Sequence, residues 1–207
     1  MNDDLIFSRP VSDPDCFRKA VARFDEENAK DPNREIVEGE SCPRELVYAR
    51  RLSNWALKLC PDASEELLLA ARCQHICRWM IPRESHEMTR AGYLRWRNEL
   101  KSFHAQKAAE ILREVGYPER VIDRVRDLNL KKHFPQDPAS RVLEDALCLV
   151  FLEFQLAGLA GKTAENKMIG VLKKTWKKMT PQARVLALEL PLGKYEKRLL
   201  EAALAEH

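Results

Sequence analysis

Leu143-Glu144-Asp145-Ala146-Leu147-Cys148-Leu149-Val150-Phe151-Leu152-Glu153-Phe154 decides the fold. Across 146–154 the one charge is Glu153. A helix that is apolar on nearly every face belongs at the centre of a protein, because only an inner position covers all its sides. The surrounding pattern extends it over 138–159, after the rigid turn Phe134-Pro135-Gln136-Asp137-Pro138. The uncharged part, 146–152, is far too short to cross a bilayer, so no membrane association is expected.

On either side of this stretch the chain also reads as helix. Leu, Ala, Glu, Lys and Arg dominate, Gly is scarce at 7 residues, and long β-branched runs are missing. Ser12-Asp13-Pro14-Asp15 starts a helix that ends before Asp31-Pro32-Asn33, and 31–42 reads as loop. A second helix opens at Ser41-Cys42-Pro43-Arg44 and runs to Cys60-Pro61. A third starts at Asp62-Ala63-Ser64-Glu65 and is expected to reach about Trp79, with a polar connection over 80–88. Further helices are predicted over 89–115, stopped by Gly116-Tyr117-Pro118, over 118–130, over 163–179 and from Thr180-Pro181, with a last one after Pro191-Leu192-Gly193. The expectation is an all-α protein of eight or nine helices with no strand. Residues 1–40 are expected to form a helical N-terminal extension and 41–207 the helical domain.

Composition allows a proper core, with 45% hydrophobic and 32% charged residues among 207. Net charge is +3, but its distribution is uneven: 1–45 carries −5, 72–107 carries +5 and 162–178 carries +5. Basic fields of that size attract phosphates or carboxylates, and ordinary solvated helix faces look the same in sequence. The six cysteines, 16, 42, 60, 73, 77 and 148, lie mostly in apolar helical patterns. Met-Asn-Asp-Asp lacks the basic and apolar regions of a signal peptide. The expectation is reduced thiols and a cytoplasmic protein.

The chemistry-bearing residues gather in three stretches. In Cys73-Gln74-His75-Ile76-Cys77-Arg78-Trp79, polar groups sit on an otherwise apolar helix, so His75 must be hydrogen-bonded, paired or metal-bound. A histidine satisfied inside the core and a functional one both fit that reading. On the next helix Arg97, Lys101 and His104 share one face, and a short connection would bring that face back against His75. Glu144 and Asp145 head the central helix. They complement its dipole, pair with a buried arginine, or join His75 and His104 as ligands of a divalent metal ion. The site expected from these residues has His75, Lys101, His104 and Asp145 at its chemical core. Gln74, Arg78, Arg83 and Arg97 would hold a phosphate-containing small molecule, since the planar arginine fork bonds phosphate bidentately. A second reading is RNA or protein binding. Tyr93 and Trp96 lie among Arg90, Arg95 and Arg97, and Lys173, Lys174, Lys177 and Lys178 bracket Trp176. The P-loop, the dinucleotide-binding glycine motif, the hydrolase elbow and the zincin helix are all missing, which argues against those chemistries.

Residues 48–178 resemble a widespread, uncharacterised all-helical family known as a domain of unknown function. The resemblance is carried by Ala71-Arg72-Cys73-Gln74-His75-Ile76-Cys77-Arg78-Trp79 with Pro82-Arg83, Gly92-Tyr93-Leu94-Arg95-Trp96-Arg97 and Phe103-His104-Ala105. It continues in Leu143-Glu144-Asp145-Ala146 and Thr175-Trp176-Lys177-Lys178-Met179. The order of elements is also similar to HD-type metal-dependent phosphohydrolase domains, with His75 in place of the paired histidine, His104 and His133 as extra histidines, and Asp145 as the late aspartate. That similarity implies an HD-like bundle, a divalent metal and phosphate-ester hydrolysis. Ile76 stands where the paired aspartate belongs and no histidine precedes His75, so two of the four ligands match.

Overall fold

Side-chain caps set half of the helix starts. Asp13 accepts hydrogen bonds from the Asp15 and Cys16 amides, Ser64 from Leu67, Thr89 from Gly92, Asp137 from Ala139 and Ser140, and Thr180 from Ala183. Each satisfies a backbone donor that the first turn leaves orphaned. The computed structural model describes residues 4–205. In chain order these contain α1 (Asp4–Phe7), α2 (Pro14–Ala29), β1 (Arg34–Val37), β2 (Glu40–Pro43), α3 (Arg44–Leu59) and α4 (Glu65–Cys73). There follow α5 (Arg90–Val115), α6 (Glu119–Leu130), α7 (Pro138–Val150), α8 (Glu165–Lys178), α9 (Pro181–Leu188) and α10 (Lys194–Leu204). α7 runs on without a break through the π-helical turn Phe151–Gln155 into Leu156–Ala160. The fold is mostly helical, with ten α-helices among the described residues rather than eight or nine, and it holds a two-stranded hairpin over 34–43, overlapping the loop that the sequence predicts over 31–42.

The hairpin pairs Arg34 with Pro43 and Val37 with Glu40, closed by Glu38 and Gly39. Both turn residues have positive φ, 51° and 86°, the twist that suits a two-residue connection. Glu-Gly lacks the Asn or Asp that usually marks such a turn, so the sequence signal was weak. The hairpin returns the chain to Asp31, whose carboxylate accepts the Glu45 amide at 3.0 Å and so caps α3 from a distance.

A second difference shapes the site. The third predicted helix stops at Cys73 instead of running to about Trp79. Cys77 has a φ of 53°, and its amide donates to the Asn28 side chain of α2 at 3.2 Å. This tertiary bond turns the chain out of helical register, so His75 sits in a turn and Arg78–Met80 forms a separate 3-10 turn.

α7 is central, as its sequence requires: it packs against α3, α4, α6, α8 and α9, with Leu143, Ala146, Leu149 and Val150 buried. It is not covered on every side, however. Leu147 and Phe151 are half-buried, and Phe154 is exposed beneath the Arg51 guanidinium, 3.9 Å above its ring. α2 packs on α3, α4 and α5, and Phe17, Ala20, Val21 and Phe24 share the same buried core as α7. All six cysteines are free thiols. Among the described residues no helix is long and apolar enough to cross a membrane.

Candidate functional site

The half-covered face of α7 lines a cavity of about 240 Å³. The turn after α4 contributes Gln74, His75 and Arg78, and α5 contributes Arg97, Lys101 and His104. Lys131, at the C-cap of α6 with a φ of 56°, Glu144 of α7 and Lys178 at the end of α8 complete its polar wall. Tyr48 of α3 and Phe151 supply aromatic surface.

At the floor, Tyr48 stacks on His75 with ring centroids 4.3 Å apart and planes 14° from parallel. The His104 ring lies 5.7 Å from that of His75. Burial, with the charges of Arg78 and Arg97, pushes His104 down to about 3, and a backbone hydrogen bond at Gln74 only partly offsets this. Burial, then Arg78 and His104, holds His75 well below the usual histidine value. Both rings are therefore neutral. Behind His75 lies Glu45, with one carboxylate oxygen 3.8 Å from Nδ1. With the ring neutral, this contact is not an ion pair. Burial raises the Glu45 carboxyl to about 7, against the pull of Arg78 and Arg44. Three buried polar atoms in this layer have no hydrogen-bond partner: Gln74 Oε1, His104 Nε2 and Glu45 Oε2. Unsatisfied groups of this kind cost stability, which marks the layer as one not built for stability alone.

The walls carry two sets of cations. Lys131 and Lys178 both bind the buried Glu144, the latter at 3.1 Å. Burial alone would raise the Glu144 carboxyl, but the two ammonium groups outweigh it and hold it below the usual carboxylate value. Arg78, Arg97 and Lys101 have no carboxylate within 4 Å among the described residues. Burial lowers Lys101 and Arg78, and neighbouring positive charges, Lys131 and Arg97 among them, add to the effect.

Six of the residues singled out in sequence meet here: Gln74, His75, Arg78, Arg97, Lys101 and His104, with Glu144 beside them. Two lie elsewhere. Asp145 points the other way, accepting the Thr180 amide at 2.9 Å and the Thr180 hydroxyl at 2.5 Å, and so fixes the start of α9. Arg83 donates to the carbonyls of His86, Glu87 and Thr89, clasping the loop before α5. That loop crosses α5 closely enough that a Cβ at Gly92 would lie 2.1 Å from the Glu87 carbonyl oxygen. His133, 61% exposed, faces Asp127. Tyr48, Glu45, Lys131 and Phe151 were not singled out in sequence. Lys131 follows Leu130 in an ordinary basic pair, and nothing marks its left-handed backbone.

The four metal ligands suggested by the sequence, His75, His104, Glu144 and Asp145, do not converge. Glu144 is engaged by two ammonium groups and Asp145 by Thr180, and among the described residues no group of three or more His, Cys, Asp or Glu is arranged around a common point.

A family model described as Domain of unknown function (DUF4202) matches residues 18–200. The chain belongs to that family. The match to the DUF4202 model takes in every residue that lines the cavity, and also most of α2 and the whole hairpin. Among curated proteins and among solved structures nothing matches. The HD-type similarity rested on His75 and Asp145, and of these only His75 lines the cavity.

Proposed function

We propose that this cavity binds a phosphate-containing small molecule. The observation that carries the reading is the trio Arg78, Arg97 and Lys101, partly buried and with no carboxylate within reach. Folding around unmatched like charges is unfavourable, and an entering anion relieves it. Two guanidinium forks and an ammonium suit phosphate oxygens, which take bidentate, charge-assisted hydrogen bonds. Neutral histidines beneath them add hydrogen-bonding capacity without further charge.

His75 gives the site a candidate proton acceptor. It is neutral, half-buried, and has Glu45 behind its Nδ1. In a hydrolytic version of this function a water attacks phosphorus while His75 takes its proton, and the phosphate–oxygen bond to the leaving group breaks. A purely binding version needs only the cations. Support for the RNA reading is weaker: the Trp176 ring is half-buried against the core, with Arg184 5.5 Å from its centroid.

Calorimetric titration with inorganic phosphate and a panel of phosphate monoesters tests binding, and release of inorganic phosphate from those esters tests hydrolysis. The expected result is binding at low ionic strength that weakens at least tenfold in Arg97→Ala. A protein that binds none of these compounds at low salt does not have this function.

A further inference from the structure

The cations of the cavity form two sets that are matched to different degrees. Arg78, Arg97 and Lys101 have no carboxylate within 4 Å among the described residues, whereas Lys131 and Lys178 share one, Glu144. Lys101 stands between the sets: its ammonium is destabilised by Lys131, Arg97 and Lys178 and favoured by Glu144. Five positive side chains therefore line the cavity against one carboxylate, with neutral histidines at the floor. A single phosphate group brings about one to two negative charges near pH 7. Placed against Arg78, Arg97 and Lys101, it would leave the second pair of cations held by Glu144 alone.

From this surplus we infer that the ligand carries two linked phosphate groups, a diphosphate or an organic diphosphate ester. The inner group meets Arg78, Arg97 and Lys101, and the outer group reaches Lys178 and Lys131 alongside Glu144. Lys178, 54% exposed, lies at the outer side, where its ammonium can swing between Glu144 and a ligand. Glu144 acts as the resident counter-charge of the outer pair, which keeps Lys131 and Lys178 in place when the cavity is empty. This assignment rests on the phosphate-binding function proposed above and adds the class of ligand to it.

The test compares the full chain's affinity for orthophosphate and for pyrophosphate, by calorimetry in dilute magnesium-free buffer, in the wild type and in Lys178→Ala. The wild type should bind pyrophosphate at least tenfold more tightly than orthophosphate. Lys178→Ala should lose most of that preference, its pyrophosphate affinity falling at least fivefold further than its orthophosphate affinity, because Lys131 still pairs with Glu144 and the three inner cations remain. A wild-type preference below tenfold overturns the two-phosphate assignment and leaves the phosphate function standing. A preference retained in Lys178→Ala overturns the role of the outer pair. Failure of both anions to bind removes the phosphate function itself, and this assignment with it. The wild-type comparison alone decides the matter if the variant does not fold.

Discussion

Arg72, in the last turn of α4, and Arg78, in the 3-10 turn that follows, are treated in opposite ways. Arg72 is 1% exposed and forks onto Asp25 of α2 with hydrogen bonds of 2.7 and 2.6 Å. Arg78 has no carboxylate within ion-pair distance and faces Arg97, its guanidinium 4.9 Å from the centre of the Trp96 ring. A buried charge is costly unless paired, and Arg72 obeys that rule. Arg78, Arg97 and Lys101 depart from it together, around one cavity. The proposed binding role accounts for departures that cluster in this way, since an anionic ligand would complete the charge that the fold leaves open.

The largest effect is expected on the matched side of this comparison. Asp25→Ala removes the carboxylate onto which the buried Arg72 forks and should lower unfolding stability by about 3–5 kcal/mol. Urea unfolding measures it, and phosphate affinity should remain unchanged. A loss below about 1 kcal/mol would mean that Arg72 is no better matched than Arg78.

The next effect concerns the cavity floor. His104 has a folded pKa of about 3, below the unfolded histidine value. The unfolded chain then binds more protons, and stability falls as pH drops from the unfolded value toward 3. At pH 5 the His104 contribution is a loss of about 2 kcal/mol relative to neutral pH. Glu45 works the other way, since its raised carboxyl favours the folded state as pH falls below about 7, but it does so in both proteins. His104→Gln should therefore lose less stability than the wild type between pH 7 and pH 5. Equal losses in the two proteins would mean that His104 is not held neutral.

A smaller effect places Asp145 on the structural side. Thr180→Ala removes a cap of α9 and the hydroxyl partner of Asp145, leaving its amide bond to that carboxylate, and should cost about 1–2 kcal/mol in urea. Phosphate affinity should not change. Weakened binding in this variant would return Asp145 to the site.

Much of this division was legible in the sequence. The apolar run over 146–154 placed α7 at the centre, and capping residues fixed half of the helix starts, because both are local signals. The convergence of Gln74, His75, Arg78, Arg97, Lys101 and His104 also followed from helix faces and a short connection. What the sequence could not show were effects made by distant partners. Asn28 captures the Cys77 amide and ends α4 early. Thr180 draws Asp145 away from its neighbour Glu144. Lys131 and Lys178, remote in the chain, meet on one carboxylate. Residue type and spacing gave the same weight to Asp145 as to Glu144, and to Arg83 as to Arg97, and only tertiary geometry separates them.

The central claim, that the cavity's charge is left unmatched for a ligand, is tested most directly by thermal melts of the wild type and Arg97→Ala, each with and without saturating inorganic phosphate. Removing Arg97 relieves its repulsion with Arg78 and Lys101, so without phosphate the variant should melt at or above the wild-type temperature. Phosphate should then stabilise the wild type and leave the variant nearly unchanged. A variant that melts below the wild type without phosphate, and gains as much from phosphate as the wild type does, would contradict the account.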